Sequence, residues 1–112
     1  MISDTIRNVL HYSYGCSMGV LWRNMNMEFE GAFERQTEEF FSMLRMLMEE
    51  GKLKLASDGV FADGDIDAQL GVLRRAWPST RDQEDLDEDG LWFLTDAPFG
   101  LVWIAPEGDV WT

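Results

Sequence analysis

The chain has one cysteine, Cys16, and one histidine, His11, in 112 residues. A single thiol excludes an internal disulfide framework and suits a reducing compartment. One cysteine and one histidine also supply too few nitrogen and sulfur ligands for a zinc site. Long hydrophobic runs are missing: stretches such as Phe99 to Pro106 fall far short of the roughly 20 apolar residues of a membrane helix. The opening MISDTIRNVLHYS puts Asp4 and Arg7 where a secretory signal has a basic start and then an apolar run, and no cleavage pattern follows. These absences set the expectation of a cytoplasmic protein.

Positive charge is also scarce. Nine Lys and Arg face 21 Asp and Glu, for a net charge of −12. Residues 1–56 carry 8 acidic and 6 basic side chains, whereas residues 57–112 carry 13 and 3. A field of that sign repels phosphates and anionic lipid surfaces. No nucleic acid or membrane partner is therefore expected, and a basic protein is favoured. The chain is nonetheless 46% hydrophobic and 12% aromatic, enough to bury a core and to argue against disorder. Its length fits one domain over 1–112.

The patterning divides into helices first and strands last. Ser3 can cap a first helix that buries Ile6, Val9 and Leu10, and Tyr14-Gly15-Cys16 interrupts it. A short second helix over 17–25 would carry Leu21 and Trp22 inward. From about Glu28 to Glu50, Phe29, Phe33, Phe40, Phe41, Met43, Leu44, Leu47 and Met48 share one broad helical face. Met46 alone is apolar on the opposite side, and Gly51 sits where a left-handed cap is expected. Lys52 to Ala56 alternates as a half-buried strand, and Ser57-Asp58-Gly59 turns it toward Val60-Phe61. Asp63 or Asp65 caps a further helix with Ile66, Leu70, Leu73 and Trp77 in a stripe, and Pro78 stops it. Leu91 to Thr95, Leu101 to Ala105 and Val110 to Thr112 read as an antiparallel meander. The expected class is α+β, with N-terminal helices packed on one face of a small antiparallel sheet formed mainly by the C-terminal strands.

Between the last helix and that meander lies RDQEDLDEDGLWF, with six carboxylates among the eight residues 82–89. Three readings compete. Asp85, Asp87, Asp89 and Gly90 satisfy part of a calcium-loop pattern that would end at Asp96. Pro78 and Pro98 undercut the flanking helices that such a loop needs, however, and an aspartate replaces the usual terminal glutamate. Asp63, Asp65 and Asp67 repeat the spacing more weakly. A solvated linker is the second reading, since runs of like charge usually stay in water. The third is a surface that steers a basic partner. Its candidate residues are Asp82, Glu84, Asp85, Asp87, Glu88 and Asp89, with Trp92 beside them and Trp111, one residue from the C-terminus, as the best exposed ring. On a strand, alternation turns one of Trp92 and Phe93 inward.

Catalytic chemistry has little to stand on. His11 and Cys16 lie five residues apart across a glycine, with no activating third group implied. Gly15-Cys16-Ser17-Met18-Gly19 lacks the lysine and the preceding strand of a phosphate loop. No cofactor, no metal and no enzymatic activity are expected.

Several stretches together resemble a bacterial family of small proteins known as a domain of unknown function. They are Gly15 with Leu21-Trp22, Glu39-Phe40-Phe41, Glu50 to Leu55, Gly64-x-Ile66-x-x-Gln69, Trp77-Pro78, Leu91-Trp92-Phe93 and Pro98-x-Gly100-x-Val102-Trp103-Ile104. The match runs from about residue 10 to residue 112. It falls on turns, helix pairs and strand aromatics, so it carries over no catalytic residue. The resemblance implies an association of some relatives with contact-dependent or other polymorphic toxin loci, as immunity proteins would have. Charge and resemblance agree on a non-enzymatic immunity protein that occludes a basic toxin domain. A self-associating or regulatory interaction module is the alternative, and a calcium-binding protein ranks third.

Overall fold

The computed structural model describes residues 4–28, 31–78, 92–93 and 97–112. Its elements are α1 (Asp4–Ser13), α2 (Met18–Glu28), α3 (Phe33–Glu49), β1 (Leu53–Ser57), β2 (Val60–Phe61), α4 (Ile66–Ala76), β3 (Gly100–Trp103) and β4 (Val110–Trp111). The strands form one antiparallel sheet in the order β2-β1-β3-β4. This is the expected α+β class.

Each boundary has a local cause. Gly15, at φ +79°, turns the chain between α1 and α2, and the Ser17 hydroxyl accepts from the Val20 amide to start α2. The buried Ser13 hydroxyl takes a 2.9 Å hydrogen bond from Asn24 Nδ2, joining these two helices. α3 begins at Phe33, five residues later than the apolar periodicity predicts. Gly31, at φ +152°, holds a backbone that a helix does not continue through. At the other end Gly51 is at φ +72°. There the Gly51 and Lys52 amides donate to the Met48 and Leu47 carbonyls, the paired bonds of a Schellman cap. The Asp65 carboxylate accepts from the Ala68 amide at 2.8 Å and caps α4.

In the β1–β2 hairpin, Asp58 and Gly59 both have positive φ (53° and 80°), the turn that matches strand twist. Pairing fixes the faces of the sheet. Leu53, Leu55, Leu101 and Trp103 point to the helices and are at most 2% exposed. There they join Leu21, Trp22, Met25, Phe40, Leu44 and Leu47 in one core. Trp103 Nε1 donates to the Cys16 carbonyl at 2.8 Å, tying the sheet to the α1–α2 turn. Arg74 of α4 reaches α3 through a two-pronged pair with Glu38 (2.7 and 3.2 Å) and lies 4.3 Å from the Phe41 ring centre. Arg45 pairs with Asp67 across the same two helices.

One expectation needs correction. Trp92 and Phe93, the described residues of the run 91–95 expected as a strand, have helical backbone, and β1 occupies the place beside β3. β1 fits there because Leu53 and Leu55 alternate onto the core. Met46, apolar on the polar side of α3, is half-buried and packs against the core.

Two glycines separate conformation from packing. A Cβ at Gly51 meets nothing within 4 Å, so Gly51→Ala should destabilise only through its left-handed backbone, by about 1 kcal/mol. Gly71 lies inside α4, and a Cβ there meets only Arg75 Nη1, at 3.5 Å. Gly71→Ala should therefore stabilise by roughly 0.5–1 kcal/mol. Urea unfolding of both variants checks the two opposite signs.

Candidate functional site

Asp82, Glu84, Asp85, Asp87, Glu88 and Asp89 lie outside the described residues, as does the calcium pattern from Asp85 to Asp96. The structure does describe what flanks them. On the N-terminal side Trp77 ends α4 with extended backbone (ψ 136°), the conformation that the following Pro78 imposes. Its indole stacks on Phe40 (5.5 Å between centres, 29° between planes) and meets Trp22 and Phe41 edge-on. Its Nε1 donates to the Thr37 hydroxyl at 3.2 Å. On the C-terminal side Trp92 and Phe93 meet the same indole, with centres 5.2 and 5.9 Å away.

The described residues on either side of 79–91 therefore meet at one aromatic cluster. Closing a loop of that length costs on the order of 2 kcal/mol beyond a constant, and like charges add to it. Burying one large side chain returns roughly 1.5–3 kcal/mol, and Trp92 is only 5% exposed.

The Trp92 ring itself is buried. It packs between Trp77 and Phe93 and offers no open docking face. Trp111, by contrast, is 48% exposed. It shares a groove of about 190 Å³ with Asp58, Phe93, Pro98 and Phe99. The structure thus brings Trp111 to the C-terminal foot of the acidic segment.

The outer face of the sheet adds a residue that the sequence reading passed over. By register, Phe61, Ala56, Lys54, Gly100, Val102 and Trp111 all point away from the helices. Phe61 and Trp111 stand on the two opposite edge strands, yet their ring centres are 4.9 Å apart. Four strands span about 14 Å, so both side chains must reach inward over the middle of the sheet. Small residues beneath make that possible: Ala56 and Gly100 are paired there. Lys54 Nζ lies 5.0 Å from the Phe61 ring centre. The Asp58-Gly59 turn and the alternation of Val60 and Phe61 were the signal for an outward ring on β2.

The other candidates are accounted for locally. Asp65 caps α4 and Asp67 pairs with Arg45, which explains two of the three aspartates in the weaker calcium spacing. The His11 ring packs edge-on against Tyr12, and the carbonyl of Cys16 is the acceptor for Trp103. A cleft of about 560 Å³ lies between the C-terminal half of α3, β1 and the start of α4. Its polar groups are largely engaged with one another: Arg45 with Asp67 and Glu49, and the Gln69 amide with the Ala62 and Gly64 carbonyls. Among the described residues no three of the His, Cys, Asp and Glu side chains are placed to hold a metal ion. No helix among them is long and apolar enough to cross a membrane.

Residues 48–112 match the family described as "Protein of unknown function, DUF596". That is more than half of the chain, and the chain belongs to this family. A solved structure from Neisseria meningitidis, an uncharacterized protein conserved in bacteria, is similar over nearly the whole length. It shares 27% identity and a TM-score of 0.78, covering 96% of this chain and 87% of that one. No curated protein matches.

The placement of the rings has a direct optical consequence. Trp22, Trp92 and Trp103 are buried, whereas Trp111 is half exposed. Trp111→Phe should remove most of the tryptophan emission that acrylamide quenches readily, with little change in melting temperature. A quenching curve that matches the wild type would place the Trp111 ring inside the fold.

Proposed function

We propose that the chain is a non-enzymatic protein-binding module, and that it acts as an immunity protein that neutralises a basic toxin domain by occlusion. One observation carries the reading. Trp77 and the pair Trp92 and Phe93, which flank the acidic residues in sequence, meet in one aromatic cluster, and Phe93 also lines the groove that holds the exposed Trp111. The sequence carries six carboxylates among residues 82–89 on a chain of net charge −12, and the exposed Trp111 stands near Phe93. Same-sign fields of this kind speed encounter with an opposite field. An exposed tryptophan then supplies the short-range contact. Toxin domains that act on nucleic acid present basic clefts, and an acidic surface can occupy the place of their substrate. The family resemblance, which implies that some relatives are associated with toxin loci, agrees with this reading. In this view no cofactor takes part.

The test is a tagged pull-down from the source organism, washed at low and then at high salt, with bound proteins identified by mass spectrometry. A basic toxin-like domain retained in one-to-one amount is the expected result. Recovery of only the chain itself would favour self-association instead. With the partner in hand, replacing Asp85, Asp87 and Asp89 by asparagine should slow association severalfold and flatten its salt dependence, because steering scales with charge. An unchanged association rate would remove the acidic segment from the mechanism.

A further inference from the structure

The outer face of the sheet is open over Phe61 and Trp111, and its surroundings say what would cover it. Asp58 stands in the turn at one end of the face, and Glu107 and Asp109 stand in the turn at the other. All three are exposed. None has a salt-bridge partner among the described residues. Nearby cations of the chain are engaged elsewhere: Lys52 pairs with Glu50, and Lys54 lies over Phe61. No cation of the described residues lies over Trp111. The face is therefore an aromatic centre with, among the described residues, unpaired carboxylates at both ends.

We propose that this face is the docking surface for a basic protein that presents arginine, with one guanidinium stacked on the exposed side of the Trp111 ring. The inference rests on the basic-partner reading above and gives it a location. Arginine is favoured over lysine because its planar, weakly hydrated head stacks on an indole and still donates to carboxylates at its rim. Lys54 lies 5.0 Å from the centre of the neighbouring Phe61 ring, so a cation already stands over this face. A second copy of the chain fits poorly. Two bodies of net charge −12 repel, and the face offers one cation, already in use, against three carboxylates. The edge strands β2 and β4 have two residues each, too short to template strand addition.

The experiment is a titration of the nitrogen-15-labelled chain with a hexa-arginine peptide at low salt. It is followed by NMR and repeated with Trp111→Ala and with the Asp85, Asp87 and Asp89 triple asparagine variant. The expected result is that the Trp111 indole and the Asp58 and Asp109 amides shift most. Trp111→Ala should weaken binding about fivefold, the size of an exposed cation–π contact. Because Trp111 is half exposed, this variant keeps the fold, which its spectrum verifies directly. Suppose instead that the peptide binds Trp111→Ala as tightly as the wild type, with shifts elsewhere. The outer-face assignment then fails while the basic-partner reading stands, more so if the triple variant alone loses affinity. No binding of the peptide to any of the three proteins at low salt would overturn both.

Discussion

The indole of Trp77 is the contact on which the rest of the arrangement depends. It is held from the helical side by Trp22, Phe40, Phe41 and the Thr37 hydroxyl, and from the C-terminal side by Trp92 and Phe93. Residues from α2, α3, the end of α4 and the returning chain thus meet at one side chain. Edge-on and stacked aromatic pairs each contribute roughly 0.5–1.5 kcal/mol beyond the area they bury.

This aromatic clasp also explains the placement of the recognition features. With Phe93 fixed against Trp77, the chain from Ala97 to Gly100 is delivered to the end of β1, and β3 can pair along it. β3 carries β4, and β4 carries Trp111 across to Phe61. The exposed aromatic pair is thus a consequence of the sheet order β2-β1-β3-β4. Only with β1 and β3 in the centre, bearing Ala56 and Gly100 on their outer side, can the two edge rings meet.

Much of this was legible in the sequence wherever one residue decides the local backbone. The Gly51 cap, the Asp58-Gly59 turn, the Asp65 cap and the Pro78 stop all fell where their chemistry placed them. The buried face of α3 followed from its period. The start of α3 was misplaced because Phe29 continues that period, while Gly31 breaks the helix for a reason of backbone freedom that periodicity does not register. Leu91 to Thr95 read as a strand because a short apolar run is the same in either conformation. Tertiary packing decided it: the Trp77 indole offers Trp92 and Phe93 an aromatic surface that no strand partner matches. Trp111 was found from its position, whereas Phe61 was missed because its role appears only once β4 is known to cross toward β2.

The most direct test of the clasp is a double-mutant cycle on Trp77→Leu and Trp92→Leu, read by urea unfolding. The contact predicts that the double variant loses less stability than the two single losses combined, by about 0.5–1.5 kcal/mol. Strictly additive losses would mean that Trp77 and Trp92 do not hold each other. The acidic segment would then have no closed base from which to meet a partner.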